Sequence, residues 1–328
     1  MERFSDYKSL SLRERSVVTI GNFDGLHRGH QALLSRAREI AVAEQAALWV
    51  LSFEPHPARY FAPNAAPPRL YLPAEKASLL ERYSVDGFLE QRFDATFASM
   101  SAMEFIDQVL CAALKVAGVV VGYDFAFGAG RKGGARELHA ASELHSFQFA
   151  VVSAREDEQG EGVISSSRIR ACLRAGEVEA AARLLSRSYH LSGTCLPGHQ
   201  RGREIGFPTV NLAQEETLCP GKGVYSGWLS WGAGPRPAMI NIGENPTFTG
   251  DHGLIDCQPL AIEAHALGDD EVPELYHRPC RIWFATRLRD ERSFSSPEAL
   301  RAQLDQDRSD ALHQLAAHPT PRWPLLKA

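Results

Sequence analysis

Apolar runs of strand length recur through the first half of the chain, and between them the apolar positions fall into a helical period. The order is SVVTIG from residue 16, a helical stretch over about 30 to 46, ALWVLSF, PAEKASLLERY, VDGFLEQ, SAMEFIDQVLCAAL, AGVVVG, GARELHAASELHS and FQFAVVSAR. Strand and helix in alternation predict a parallel sheet with crossover helices. In the first helical stretch Leu33, Leu34, Ala37, Ile40 and Ala41 form a stripe of 3.6-residue period suited to packing on that sheet.

Two further helices, in SSRIRACLRAGE and EVEAAARLLS, precede a change of pattern near residue 187. Beyond it YHLSGTCL, GVYSGWLSW, AMINIG, LAIEAHAL and CRIWFATRLR are short runs separated by Gly, Pro and Asp, the spacing of an antiparallel barrel or sandwich. A closing helix is expected in SSPEALRAQLDQDRSDALHQLAAH, with Ser296 as N-cap, Pro297 at the first helical position and Glu298 favourable to the dipole. The reading is therefore two domains, 1–186 and 187–328, an α/β half followed by a β half with a C-terminal helix.

Composition adds limits. With 44% hydrophobic and 23% charged residues the 328-residue chain is an ordinary globular one, and a formal charge of −5 offers no broad basic surface for nucleic acid. Six cysteines without a CxxC pair argue against a zinc ribbon or a disulfide framework and favour free thiols in a reducing compartment. MERFSDYKSL has no apolar signal region and runs such as VAGVVVG are too short to span a bilayer, so a cytoplasmic protein with no membrane partner is expected. Whether it forms a homo-oligomer is left open.

The chemistry concentrates in GNFDGLHRGHQ, residues 21 to 31, between the first strand and the first helix. Ligands of open parallel sheets sit beyond the carboxyl ends of the strands, where a helix N-terminus offers free N–H groups and a positive dipole end to phosphate. Gly21, Gly25 and Gly29 permit close approach of backbone, and His27 and His30, three apart, can turn to one side toward a polyphosphate. The competing readings are a helix cap with loop filler, or zinc; no HExxH or cysteine ligand accompanies the pair.

HRGH has the form of the HxGH signature and resembles the nucleotidylyltransferases, which transfer a nucleotidyl group from a nucleoside triphosphate and release pyrophosphate. ISSSRIR at 164 to 170 is similar to a second element of that family, ISSTxIR, with Ser167 in place of threonine. The resemblance implies a Rossmann-like domain. It also implies a phosphate site that includes Gly21, Asn22, Gly29, Ser165, Ser166, Ser167, Arg168 and Arg170, with His27 and His30 as catalytic groups. SFEPHP at 52 to 57 and GYDFAFGAGRKGG at 122 to 134 resemble the flavin-adenylylating branch, and place Asp124 in the nucleotide and flavin site.

GHQRGREIGFPTVN, 198 to 211, resembles the G-R-x-x-G-F-P-T-x-N motif of riboflavin kinases; NIGENPTF, IEAH and LRDERSFSSPEALRAQLDQD extend the likeness through the second half. Here the resemblance implies an antiparallel β-barrel kinase domain with Gly202 and Arg203 at the nucleotide, Thr209 and Asn211 at Mg2+, and Glu263 as base toward the riboflavin hydroxyl. Those two kinase residues lie in what reads as a Pro-Thr-x-Asn turn. Across both halves the likeness is to the bacterial bifunctional riboflavin kinase/FMN adenylyltransferases, whose substrates are ATP, riboflavin and FMN. After Glu263 the chain reads HALGDDEVPELYHRP where that family commonly reads HLLDF and then LYG. An adenylyltransferase with a non-catalytic, flavin-sensing C-terminal module is the alternative.

Overall fold

The computed structural model describes residues 1–196, 207–214, 216–232, 234–244, 260–268 and 275–321. The chain packs as two compact units, Met1–Pro67 with Tyr71–Ser165, and Pro68–Leu70 with Ser166–Ala328.

The first unit is built on six strands, β1 (Glu2–Phe4), β2 (Ser16–Ile20), β3 (Ala47–Glu54), β4 (Gly87–Arg92), β5 (Val116–Gly122) and β6 (Gln148–Val152), all paired in parallel in the order β1-β4-β3-β2-β5-β6. Every residue of β2 is buried, as befits a central parallel strand covered on both faces. Helix α1 (Arg28–Ala43) buries Leu33, Leu34, Ala37, Ile40 and Ala41, the stripe that periodicity marks. Short helices α2 (Pro57–Phe61), α3 (Pro73–Arg82), α4 (Ala95–Ala98) and α5 (Ala102–Glu104) follow, and α6 (Ala135–His145) completes the crossovers. One core cluster joins Val18, Ile20, Leu51, Val119 and Val121 to Phe105, Val109, Leu110 and Leu138.

The structure departs from the periodicity in three places. The single helix expected over SAMEFIDQVLCAAL is α5, capped by a reciprocal Ser101–Glu104 box, running into a π-helical segment Phe105–Ala113. Its wider turns place Phe105, Val109 and Leu110 toward the core together. Edge strand β1 and the one-turn α2 are too short to carry a period.

The second unit holds a closed barrel of β7 (His190–Leu196), β8 (Val210–Gln214), β9 (Gly223–Ser230), β10 (Arg236–Glu244), β11 (Leu260–Ala266) and β12 (Pro279–Arg289), antiparallel throughout in the order β10-β11-β8-β7-β12-β9. Closure decides between the barrel and the sandwich that the pattern allowed. Tyr225, Ile240, Ile242, Ile262 and Phe284 fill its interior, each no more than 2% exposed. Helices α7 (Ser166–Arg174) and α8 (Val178–Leu185) pack on each other, and α8 packs on β12, where the Arg287 amide donates to Glu179 Oε1 at 3.0 Å. Helix α9 (Pro297–Ala316) starts as expected, with the Ser296 side chain accepting from the Ala299 amide and Pro297 in first position. It lies on the barrel's outer face: Ala311 joins Phe207, Val224 and Met239 in one cluster, and Leu315 joins Trp228 and Trp283 in another. Asp307, 2% exposed, receives Arg289 at 2.6 Å and Gln303 at 2.6 Å and ties the helix to β12.

Val178, Ala181, Leu184 and Leu185 of α8 are buried in this packing, and full burial of a Val or Leu contributes about 1.5–3 kcal/mol. A fragment beginning at residue 166 should therefore unfold roughly 10 °C or more above one beginning at 187. Equal thermal midpoints in calorimetry would show that α8 contributes nothing to the barrel.

Candidate functional site

In the first unit β3 and β4 lie to one side of β2 and β5 and β6 to the other. Loops leaving the carboxyl ends of β2 and β5 therefore diverge, opening the crevice that a doubly wound sheet offers to ligands. Gly21, Asn22, His27, Gly29 and His30 all belong to the loop after β2 and the first turn of α1, and Asp124 follows β5, the adjacent strand. The structure thus brings these six predicted residues to one edge of one sheet.

His27 is the N-cap of α1, its Nδ1 accepting from the His30 amide at 3.4 Å. In the neutral ring an accepting Nδ1 leaves the proton on Nε2, where it can be donated outward. The two imidazoles stack, with centroids 3.7 Å apart and planes at 19°, and Phe23 lies 5.0 Å from His30. Capping and presentation are therefore one arrangement. A Cβ on Gly29 would come within 3.1 Å of the His27 ring and 3.5 Å of the Ile164 carbonyl, so the glycine sets how closely the ring can lie.

The loop that delivers the histidines is strained: Phe23, Gly25 and Leu26 have φ of 51°, 84° and 41°. Left-handed backbone at bulky residues costs on the order of 1–3 kcal/mol each and persists only where the surroundings over-determine it. Those surroundings are visible. The Gly21 amide donates to Leu51 O at 3.1 Å, the Ser52 hydroxyl to Asn22 O at 3.1 Å, the Tyr71 amide to Asp24 Oδ1 at 3.4 Å, and the Gln31 amide group to Leu26 O at 3.0 Å. Arg28, between the two histidines, is paired with Glu158, whose carboxyl is held below its usual range by that hydrogen bond and charge.

Asp124 is exposed, in a turn closed by the Phe125 amide on Gly122 O at 3.1 Å. Sequence reading missed a neighbouring feature. Beyond the end of β3, His56 caps α2 and Phe61, 67% exposed, packs edge-on against Tyr60 and Phe93, the latter continuing to Phe53 and Phe97. Such a ledge suits a flat aromatic ring. Spaced over more than 40 residues, it has no local signature.

Ser165 ends the first unit, and Ser166, Ser167, Arg168 and Arg170 open α7 in the second. Ser167 is exposed, while Arg170 is buried and donates Nε to Pro68 O at 2.7 Å.

In the barrel the register creates a row across its outer face. Arg289 opposes Val224, Val224 opposes Asn241, Asn241 opposes Glu263, Glu263 opposes Asn211, and Asn211 opposes Leu196. Directly opposed residues share a face, so Glu263 stands between two asparagines, Asn211 and Asn241, the second not singled out by motif. Asn211 belongs to β8 rather than to the turn expected of it; the strand begins at Val210, which pairs with Ala264. Gly202 and Arg203 lie outside the described residues. His265, two residues beyond Glu263, donates Nδ1–H to the Pro208 carbonyl at 2.8 Å and packs 5.1 Å from Phe207. Burial holds its pKa below the ordinary value, the Pro208 bond opposing and the Arg308 charge assisting. Among the described residues no group of three His, Cys, Asp or Glu could hold a metal by itself.

The chain thus joins a doubly wound parallel sheet to a closed antiparallel barrel, an architecture whose class comparison with known proteins makes specific. Residues 10–168 match the FAD synthetase family model and residues 185–315 the riboflavin kinase model. The bifunctional riboflavin kinase/FMN adenylyltransferase of Escherichia coli K12 is 37% identical over 296 residues, covering 90% of this chain and 91% of that one. Those of Pseudomonas fluorescens and Listeria monocytogenes are 37% and 34% identical, covering 89% and 90% of this chain and 90% of each relative. A solved structure described as a macrolide-efflux protein from Streptococcus pneumoniae superposes with a TM-score of 0.83 at 29% identity, over 94% of this chain and 98% of that one. The chain belongs to the family of bifunctional riboflavin kinase/FMN adenylyltransferases. Among the described residues no helix is long and apolar enough to cross a membrane.

The lowered pKa of His265 has a thermodynamic sign. The folded barrel binds this proton less readily than the unfolded chain, so stability from the site is present above about pH 6.5 and is lost as pH falls below it. Unfolding midpoints between about pH 7.5 and about pH 5.5 should decline more steeply in the wild type than in His265→Gln; equal slopes would remove His265 from the titration.

Proposed function

We propose that the two activities of the family, riboflavin phosphorylation and adenylyl transfer to FMN, are divided between the two halves at residues 186/187, with transfer in the crevice after β2 and β5 and phosphorylation on the outer row of the barrel. The chain is a riboflavin kinase and FMN adenylyltransferase, producing FAD. What supports the first assignment is the position of HRGH at the carboxyl edge where strand order reverses.

In that crevice a phosphate oxygen of FMN attacks the α-phosphorus of ATP in line and pyrophosphate leaves. His27 and His30 donate to the oxygens on which charge develops, the Arg28 and Gly29 amides at the start of α1 add to them, and Asp124 contacts the nucleotide and flavin. The aromatic ledge headed by Phe61 offers the flavin ring a stacking face. Ser165, Ser166, Ser167, Arg168 and Arg170 are assigned to phosphate binding on their likeness to the family sequence alone.

In the barrel Glu263 accepts the proton of the riboflavin 5′-hydroxyl as that oxygen attacks the γ-phosphorus of ATP, the bond to the β–γ bridging oxygen breaks and ADP leaves. Thr209 and Asn211 supply a hydroxyl and an amide oxygen, the hard donors that Mg2+ prefers, and so few protein ligands suit an ion whose shell is completed by ATP phosphates and water. When bound, Mg2+ would neutralise the phosphate charge. The free state of Cys111, Cys172, Cys195, Cys219 and Cys280 is consistent with a cytoplasmic setting.

His30→Ala should cut FAD formation from FMN by roughly 100-fold or more, the scale of losing one preorganised donor, while riboflavin phosphorylation persists. Near-normal FAD formation would reduce His30 to a loop element. Glu263→Gln should lower FMN formation by about 100- to 10,000-fold and leave FAD formation from supplied FMN intact. Were a folded fragment 166–328 to bind flavin yet form no FMN with Mg2+ and ATP, the C-terminal module would be a sensor rather than a kinase.

A further inference from the structure

Lys76 is a buried lysine outside every motif of the sequence, yet it reaches Ser52, the first residue of SFEPHP. It lies on α3, 8% exposed, with Nζ 2.7 Å from Glu90 Oε1 of β4 and 3.2 Å from Ser52 Oγ of β3. Ser52, fully buried, passes the polarity on: its hydroxyl donates to the Asn22 carbonyl at 3.1 Å. We propose that Lys76 is a positioning residue for adenylyl transfer, acting through Ser52 to hold the Asn22–Leu26 loop, and with it His27 and His30, in the reactive geometry.

Three observations carry this. First, a buried ammonium loses hydration that its attraction to a carboxylate still 21% exposed often fails to recover, so the pair is poorly explained as a stability device. Second, a hydroxyl has one proton. With Lys76 donating to the Ser52 oxygen, that proton is left for the Asn22 carbonyl, and the direction of the relay is fixed. Third, what the relay grips is the strained loop, where Phe23 and Leu26 hold positive φ. The segment that carries Lys76 grips the loop a second time, by the Tyr71 amide on Asp24. Two ties from one short stretch on either side of Phe23 leave the left-handed turn little freedom to relax. Since transfer rates fall steeply when reacting groups are displaced by an ångström, a loosened loop should show in turnover before it shows in binding.

The inference rests on the crevice being the adenylyl-transfer site, so His30→Ala is run alongside. The full-length protein is assayed for FAD formation from FMN and ATP, for riboflavin phosphorylation as an internal control, and for its unfolding midpoint. Ser52→Ala leaves the Lys76–Glu90 pair in place and cuts only the relay; kcat for FAD formation should fall about 5- to 20-fold with KM for FMN within about twofold. The double variant Lys76→Met/Glu90→Gln, which strands no buried charge, should reproduce that loss, and Lys76→Arg, which can donate to both partners, should restore at least about half of wild-type kcat. Phosphorylation should stay at the wild-type level in all three. Wild-type kcat in Ser52→Ala, with His30→Ala impaired, would overturn the positioning role alone. Parallel loss of both activities would overturn it in favour of general destabilisation. Near-normal FAD formation in His30→Ala would remove the site reading, and the inference with it.

Discussion

The first unit depends on one constraint, that β2 is the strand at which the order of the sheet reverses. Parallel strands need crossover connections, and connections running to opposite sides of one strand must part at its carboxyl end. The parting creates the crevice before any side chain is chosen. What the sequence then adds is a loop able to enter it: glycine where backbone or ring must come close, a histidine that caps α1, and a second one turn later whose ring lies flat on the first. Because β5 is the neighbour across the reversal, the turn carrying Asp124 opens onto the same edge although it lies 94 residues after His30.

A different constraint organises the barrel. Closure fixes each strand's register against two neighbours, and a slip of one residue would exchange inner and outer faces. With Ile240, Ile242 and Ile262 committed to the interior, Asn241 and Glu263 are committed to the outside, and pairing with β8 brings Asn211 beside them. The same row reaches Arg289, which a buried Asp307 ties to α9. The helix that covers the outer face is thus anchored in the row that carries the proposed chemistry.

How much of this was legible beforehand follows from the range of each interaction. α1 and its buried stripe, the strand-rich second half and the Ser296 cap rest on contacts within a few residues, and the sequence shows them. HRGH reads as a candidate phosphate site because glycines and histidines coincide over eleven residues, and the strand-loop-helix setting expected for it is present. The same locality hid other features. Pro208 and Thr209 make 208–211 read as a turn, and only pairing with β11 and β7 makes Val210–Gln214 a strand. The π-helical turns of 105–113 answer to the core they pack into. Packing of α8 on β12 depends on residues more than 100 apart, such as Glu179 and Arg287. Lys76 and Glu90 carry no motif, Ser52 opens SFEPHP without being singled out in it, and only the packing of two strands and a helix brings the three together.

On the proposed reading, a chain of net charge −5 meets polyphosphate at the start of α1. Arg28, the obvious cation of HRGH, is engaged by Glu158, and Arg170 of ISSSRIR gives its Nε to a backbone carbonyl. At the start of α1 the positive potential therefore comes from fixed dipoles, the helix end with its Arg28 and Gly29 amides and the ring N–H groups, rather than from mobile side-chain charge. Fixed donors are effective only if their direction is held, because their field falls away faster with misalignment than that of a point charge. That requirement accounts for the expense of this small region: a left-handed phenylalanine and leucine, a buried lysine with its carboxylate, and a serine whose one proton is committed to the backbone of the loop. The left-handed residues and the buried ammonium are each costly by themselves, and on the proposed reading they hold the loop where negative charge develops.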